Sequence, residues 1–326
     1  MHMDDDNIKK IVENVLRELI SDGTISAVQS DRAVAPIIQP APSNVPATES
    51  TVLQYPASSI DRPAVEINID LPDPTIDELR YKPRVNNPKD PAALRELIAS
   101  TPARIGVGRA GPRYKTASQL LFQGDHAVTQ DAIYRDIDQK LLDKCNLFTV
   151  QTNITGGKEE YLLRPDLGRQ LNDEAKRTIA EKCIQNPKIQ LVVGDGLSTA
   201  AIEANLGSIL PVIKQGIQAA GLSFGTPFYV EYCRVGVMND IGEAIKPDVL
   251  ILLIGERPGL GRAESMSAYI GYKPKQGNND ADRDVVCNIF EHGGTNPLEA
   301  GAFIVQLAQK MLKYEASGVK LKLATK

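Results

Sequence analysis

The chain has 326 residues, which is enough for about two domains of the usual ~150 residues each. Its 42% hydrophobic and 24% charged residues are typical of a globular protein. The 37 Lys and Arg are outnumbered by 41 Asp and Glu, so the chain lacks the basic excess of nucleic-acid-binding proteins. No apolar stretch approaches the ~18 residues of a membrane helix, and the sequence lacks the basic, apolar and small-residue segments of a secretory signal. The cysteines are far apart, which favours a reducing cytosol over a disulfide framework or a zinc ribbon: Cys145, Cys183, Cys233 and Cys287.

The first 23 residues have the pattern of one amphipathic helix. Acidic residues 4–6 precede it, Gly23 ends it, and apolar residues recur with helical spacing at Ile8, Ile11, Val12, Val15, Leu16, Leu19 and Ile20. Residues 24–90 are rich in Pro, Ser, Ala and Asn, which predicts a disordered tether. A short helix on a long tether is typical of a peptide that another protein's groove captures, although it could also dock on the protein's own core.

Residues 91–186 are predicted to be a mainly helical part of the globular region. We expect helices over 92–100, 116–142 and 166–185, with short strands over 148–154 and 161–163. The segment 106–111 matches G-x-G-x-x-G, but no long hydrophobic strand precedes it, so nicotinamide binding by a dehydrogenase is a weak hypothesis. A tight turn that presents Arg104, Arg109 and Arg113 to a partner or an anionic group explains the segment better.

Residues 187–326 alternate buried strands with helices. Strands are predicted over 189–193, 228–232, 249–254, 267–272 and 285–289, and helices over 199–220, 241–245 and 297–314. Strands that are apolar along their whole length and alternate with helices are typical of α/β proteins with a parallel sheet. We therefore predict a Rossmann-like parallel sheet flanked by helices.

Two glycine-rich turns directly follow buried strands, over 194–198 and 255–261. Ligands of open α/β sheets bind at the carboxyl ends of strands, so the two turns predict one ligand crevice, unless both are only tight strand exits. Neither turn contains the Gly-Lys-Ser/Thr of a P-loop, which argues against a nucleoside triphosphate. No nucleophile elbow or metal-ligand cluster is present, so we predict no catalytic residue and no metal site in this chain.

Several longer motifs occur in a fixed order: Ala103-Arg-Ile-Gly-Val-Gly-Arg-Ala-Gly-Pro-Arg113, Asp125-His126, Leu163-Arg-Pro-Asp-Leu-Gly168, Val193-Gly-Asp-Gly-Leu-Ser-Thr199, Gly255-Glu-Arg-Pro-Gly-Leu-Gly261 and Gly293-Gly-Thr-Asn-Pro297. In these motifs the chain closely resembles the small (light) subunit of ethanolamine ammonia-lyase, over roughly residues 91–318. The N-terminal helix and tether resemble that family in type rather than in sequence.

The resemblance implies an adenosylcobalamin-dependent lyase that converts ethanolamine to acetaldehyde and ammonia by a radical mechanism. It implies that a large subunit holds the substrate and that this chain covers the cobalamin, without nucleic-acid or membrane partners. It also implies a place in the bacterial cytoplasm within a protein-shelled microcompartment, to which the N-terminal helix would direct the enzyme. A non-catalytic cobalamin- or nucleotide-binding carrier or sensor is the alternative.

The resemblance also implies three cofactor-contacting positions. The first two are Val235, which follows Arg234, and Glu256 of Gly-Glu-Arg-Pro-Gly. The third is a family cysteine shortly after Asp-Arg: the flanking Asp282-Arg283 and Asn288-Ile289 place Val285 there, and Cys287, displaced by two residues, would share the same strand face. A carboxylate such as Glu256 can accept hydrogen bonds from the peripheral amides of a corrin, and Val235 can pack against its edge.

Overall fold

The computed structural model describes residues 76–101, 103–259, 262–291 and 293–325. The predicted amphipathic helix over 1–23 and the tether as far as residue 75 lie outside these residues. The last part of the predicted tether contains a short helix, α1 (Asp77–Arg80). Within the described ranges, no helix combines the length and the apolarity needed to cross a bilayer.

A six-stranded sheet forms the centre of the fold. Its strands are β3 (Phe148–Gln151), β4 (Ile189–Gly194), β5 (Phe228–Glu231), β6 (Val249–Gly255), β7 (Met266–Tyr272) and β8 (Arg283–Ile289). They lie side by side in the order β3-β5-β4-β6-β7-β8. The predicted α/β class is confirmed. The parallel arrangement holds only for β3, β5, β4 and β6, since β7 and β8 are antiparallel to their neighbours. The strand order also differs from the 3-2-1-4-5-6 of dinucleotide-binding sheets, so the Rossmann-like assignment is not confirmed.

Helices cover both faces of this sheet, which makes three layers. One core contains α4 (Gln139–Lys144), α7 (Thr199–Ala219), α9 (Pro297–Tyr314) and α10 (Gly318–Ala324), and the other contains α6 (Asp173–Lys182) and α8 (Val237–Ile245). Alternate residues of β6 enter opposite cores, for example Ile251 and Leu252, because successive side chains of a strand point to opposite faces. This two-sided burial explains the continuous apolar runs in the sequence.

The remaining elements lie before the central strands. Helix α2 (Pro91–Ala99) follows its N-cap Asp90, whose carboxylate accepts from the N–H groups of Ala92 and Ala93, and it matches the predicted helix closely. A two-stranded hairpin, β1 (Arg109–Ala110) and β2 (Arg113–Tyr114), forms the predicted turn. The prediction of a single helix over 116–142 was wrong, because two helices occupy this segment. Helix α3 (Thr116–Tyr134) ends before residues 135–138, and α4 begins after its N-cap Asp138.

The segment 161–163, predicted as a strand, belongs to helix α5 (Gly157–Leu163). Its start is stabilised because the Glu160 carboxylate accepts from the N–H groups of Thr155 and Gly156, at 2.8 and 2.6 Å. This capping contact outweighs the apolar pattern of three residues that suggested a strand. The helix expected over 166–185 is likewise shorter, because a 3-10 turn comes first and α6 begins only after its N-cap Asn172.

Arg104 is not presented outward, as the sequence suggested. Its guanidinium forms an ion pair with the fully buried carboxylate of Asp125, which also contacts Arg80 at 3.1 Å. Arg109 instead stacks over the Tyr114 ring of the same hairpin, 4.7 Å from its centroid. The Asp125 carboxylate of the Asp125-His126 motif therefore connects α3 to Arg80 and Arg104 in the segments that precede it.

Candidate functional site

A cavity of about 390 Å³ lies at the carboxyl ends of β4, β5 and β6. We call it the strand-end cavity. All the predicted cofactor-contacting residues line it: Val235, Glu256, Val285 and Cys287. The turns after these three strands contribute, together with residues of β7 and β8. The cavity thus lies where ligands bind in open α/β sheets.

The two predicted glycine-rich turns pack directly against each other beside this cavity. Gly196 has φ +58°, and a Cβ there would lie 2.1 Å from the carbonyl oxygen of Gly255. A Cβ on Gly255 would lie 2.0 Å from the carbonyl oxygen of Ser198. The N–H of Leu197 donates to the Gly255 carbonyl at 3.2 Å. The glycines therefore serve close backbone packing, and the crevice opens next to that contact.

The buried carboxylate of Asp195 joins the turn after β4 to the turn after β5. Its two oxygens accept from the N–H groups of Tyr232 and Cys233, at 2.8 and 2.7 Å, and the Lys158 ammonium lies 3.5 Å away. Burial raises the pKa of Asp195, while Lys158 and the backbone N–H groups act in the opposite direction. The role of Asp195 is therefore to hold two strand exits together.

Tyr161 closes the cavity from the side of α5. Its hydroxyl lies 2.8 Å from the Gly196 carbonyl oxygen and 2.7 Å from that of Cys233, and the side chain is 1% exposed. Burial raises the pKa of this phenol, so it stays protonated and its single O–H can be shared between these two carbonyls. The guanidinium of Arg234 stacks over the Tyr161 ring at 4.2 Å. Because the strand prediction for 161–163 was wrong, sequence reasoning missed this residue.

The Glu256 carboxylate is held by three hydrogen bonds. The Ser265 hydroxyl donates to Oε2 at 2.5 Å, and the Ser267 hydroxyl and the N–H of Asn288 donate to Oε1. A carboxylate offers about four lone-pair sites, so Oε2 retains acceptor capacity for a further donor. Glu256 therefore connects the end of β6 to β7 and β8 and can also accept from a ligand.

Strand β8 contains a bulge next to the two candidates for the third position, Val285 and Cys287. Ala268 pairs with Val286 and Met266 pairs with Ile289, so Ser267 faces an extra residue, and Asn288 adopts φ +56°. The bulge thus comprises Cys287 and Asn288, and Val285 and Cys287 are both exposed and both line the cavity. The structure thus brings both candidates for the third position to the same wall.

The lining of the cavity contains the Glu256 carboxylate, nonpolar side chains, an exposed thiol and two arginines, Arg234 and Arg257. In the part of the chain that the structure describes, no group of three or more His, Cys, Asp and Glu is arranged to hold a metal ion. The sequence did not reveal that Ser265 and Ser267 are the hydrogen-bond partners of Glu256, since nothing in their local pattern marks them as donors to a carboxylate.

The fold and this site define an α/β protein with a cavity at the carboxyl ends of its parallel strands. A sequence model described as Ethanolamine ammonia-lyase light chain (EutC) matches residues 91–322. The chain is 50% identical to the ethanolamine ammonia-lyase small subunit of Clostridium perfringens over 258 residues, which is 79% of this chain and 87% of that protein.

Two further relatives extend the match. The small subunit from Listeria monocytogenes is 46% identical over 84% of this chain and 93% of its own length. That from Lachnoclostridium phytofermentans is 40% identical over 98% of this chain and 100% of its own length. The chain belongs to the ethanolamine ammonia-lyase light-chain family.

Proposed function

We propose that this chain is the small subunit of an adenosylcobalamin-dependent ethanolamine ammonia-lyase, a carbon–nitrogen lyase that converts ethanolamine to acetaldehyde and ammonia. The large subunit would hold the substrate, and this chain would cover the cobalamin. Membership of the light-chain family supports the enzyme assignment. The observation that carries the cofactor assignment is the meeting of Val235, Glu256, Val285 and Cys287 in the strand-end cavity.

The residues of the cavity fit one edge of a corrin. A volume of about 390 Å³ is near the lower end of the ~300–1,000 Å³ of drug-sized ligand sites, so a whole corrin exceeds it. Nonpolar Val235 and half-exposed Val285 offer packing surface. The remaining acceptor site on Glu256 suits the N–H of a peripheral amide. Most of the cofactor would then lie against the large subunit.

This chain's own residues would bind and shield rather than react. When bound, adenosylcobalamin supplies a radical by cleavage of its Co–C bond. Glu256 would orient the ring edge through an amide N–H, and the valines would exclude water from that edge. Asp195 and Tyr161 would keep the strand exits in place around it, through their hydrogen bonds to the backbone of residues 196, 232 and 233.

We expect Glu256→Gln to weaken cyanocobalamin binding in the assembled enzyme by about tenfold to a hundredfold, since a charge-assisted hydrogen bond contributes ~1.5–3 kcal/mol. Glutamine keeps the size of the side chain and one carbonyl acceptor for Ser267 and Asn288. Equilibrium dialysis with the cofactor's own absorbance measures the affinity without turnover.

Glu264→Gln is the matched control, because Glu264 is exposed on the same loop and the charge change is identical. A second readout is the rate at which a disulfide reagent labels exposed Cys287, which bound cyanocobalamin should slow, while half-buried Cys145 outside the cavity keeps its rate. Unchanged affinity in Glu256→Gln together with unprotected Cys287 would remove the strand-end cavity from the cofactor site.

The alternative function, a non-catalytic cobalamin- or nucleotide-binding carrier or sensor, also uses an α/β cavity of this kind. Co-purification separates the two hypotheses. A subunit of the lyase should bring down a large subunit and show ethanolamine turnover only with it, whereas a carrier or sensor should bind its ligand as a separate chain.

We also propose that the N-terminal segment directs the enzyme into a bacterial microcompartment, on the basis of its amphipathic pattern and following tether. A fluorescent reporter fused to residues 1–23 should concentrate in shells in shell-forming cells. The variant Val12→Asp/Leu16→Asp places charge on the apolar face and should give diffuse fluorescence. Diffuse fluorescence of the unaltered fusion in the same cells would contradict the proposal.

A further inference from the structure

A second cavity, of about 820 Å³, lies at the opposite, amino-terminal end of the parallel strands. It is formed where β4 and β6 begin and β7 ends, six to seven residues along the strands from the strand-end cavity. At ~3.3 Å per residue the two cavities are about 20 Å apart. We call this cavity the lysine cleft, after Lys188, Lys246, Lys273 and Lys275, which line it together with Glu243 and Asp248.

The lysine cleft is positive although the chain is acidic overall. Four ammonium groups and two carboxylates leave a formal charge of +2, whereas the whole chain carries −4. A concave surface lined by excess charge of one sign concentrates ligands of the opposite sign. The charge therefore selects an anionic ligand.

Internal ion pairs do not neutralise the lysine cleft. Asp248 lies 2.6 Å from the Lys188 ammonium and 3.4 Å from that of Lys273, so this group of three keeps one positive charge. Glu243 accepts from the N–H of Gln276 at 3.0 Å and holds the loop after β7. Among the residues that the structure describes, no ion pair within 4.0 Å engages Lys246 or Lys275. These two lysines supply the charge that a ligand would meet.

The backbone around the lysine cleft is held in uncommon conformations. Asn186, Lys246 and Lys273 have φ values of +54°, +56° and +42°, so three of the eight described non-glycine residues with positive φ line this one cavity. Their N–H groups donate to the carbonyls of Ile245, Gly242 and Asp248 at 2.8–2.9 Å, which fixes the conformations. Lys246 is the left-handed C-cap of α8, and the three residues together fix the backbone of the cleft wall.

We propose that the lysine cleft binds a small organic phosphate, a phosphomonoester carried by a sugar or nucleoside. A phosphomonoester has about −1.5 to −2 charges near pH 7, which matches the +2 of the cleft. The volume falls within the ~300–1,000 Å³ of small-molecule sites, with room for an organic group beyond the phosphate. Pro247 and Pro274 also line the cleft and give that group nonpolar contacts.

Isothermal titration of the full chain with AMP and ribose 5-phosphate tests this proposal, with adenosine and ribose as the phosphate-free partners. We expect both phosphates to bind, with an affinity that falls as NaCl is added because salt screens the exposed ammonium groups. Lys246→Glu/Lys275→Glu should weaken binding by at least about tenfold. Lys140→Glu/Lys310→Glu makes the same charge change at exposed lysines outside the cleft and should bind as the wild type does.

Lys246→Gln/Lys275→Gln removes the charge without reversing it and should give an intermediate affinity if the glutamate variant does not fold. The proposal fails if the phosphates bind no better than adenosine and ribose, or if the cleft variants bind as tightly as the control variant. Inorganic phosphate that binds as tightly as AMP would also overturn it, because the organic group would then make no contact. Cobalamin takes no part in these titrations, so their outcome is independent of the proposed enzymatic role.

Discussion

Gly196→Ala is expected to lower the free energy of unfolding by about 3 kcal/mol or more. The left-handed backbone at φ +58° costs an alanine ~1–2 kcal/mol, and the added Cβ would lie 2.1 Å from the Gly255 carbonyl oxygen and 2.7 Å from Cγ1 of Ile254, an overlap that typically costs ~1–3 kcal/mol. Because a carbonyl of the neighbouring turn cannot move aside without breaking its contacts, the two turns must separate. Urea denaturation followed by circular dichroism measures the loss.

Gly221→Ala is the matched control for Gly196→Ala. Gly221 has φ +67°, but nothing lies within 4 Å of the position of its Cβ, so only the backbone cost of ~1–2 kcal/mol applies. Equal losses in the two variants would show that the turns after β4 and β6 do not depend on close packing. A larger loss at Gly196, with weakened cyanocobalamin binding in the assembled enzyme, would link that packing to the strand-end cavity.

The second large effect is expected for Asp195→Ala, a loss of about 3–5 kcal/mol in the free energy of unfolding. The N–H groups of Tyr232 and Cys233 lose their acceptors, and the ammonium of Lys158, whose side chain is 12% exposed, loses its carboxylate. Asp195→Asn should lose less, because its amide keeps one acceptor oxygen while its NH₂ group faces one backbone N–H. Thermal and urea unfolding of the full chain measure both variants.

Asp166→Ala is the control for the loss of a carboxylate, since Asp166 is exposed and forms an ion pair with Arg164 of its own turn at 2.7 Å. Its unfolding midpoint should stay close to that of the wild type. If Asp195→Ala proved as stable as Asp166→Ala, the carboxylate would not be what joins the exits of β4 and β5, and its position beside the strand-end cavity would need another explanation.

Strong local patterns predicted the elements of the C-terminal half well. The helix expected over 297–314 is α9 with the same bounds, and the strand expected over 249–254 is β6 with one residue more. Weak patterns failed. Three apolar residues over 161–163 suggested a strand, but the capping contacts of Glu160 start a helix there, and helix α10 (Gly318–Ala324) was not predicted.

The residues that the family motifs indicated lie together in one cavity, but the sequence did not predict how that cavity is built. Family motifs indicated Glu256 and the alternatives Val285 and Cys287, and they lie on one wall. The bulge at Asn288 and the hydrogen bonds from Ser265 and Ser267 were not predicted, because they depend on the register between strands far apart in sequence. Arg104 shows the same limit, since its partner Asp125 lies 21 residues further along the chain.

The sequence by itself determined the α/β class and the family. Apolar periodicity indicates which residues of the chain are buried, and motifs in a fixed order indicate common ancestry with the family. Only the tertiary structure decided that β7 and β8 run antiparallel, that the glycine-rich turns pack against each other, and that four lysines meet at the amino-terminal end of the parallel strands. The physical reason is that an apolar run of residues does not indicate whether its strand will pair parallel or antiparallel. Likewise, the residues around a lysine in the sequence do not indicate which distant charges it will meet. Strand direction and charge clustering arise only when distant segments pair, where hydrogen-bond registry and packing select one arrangement.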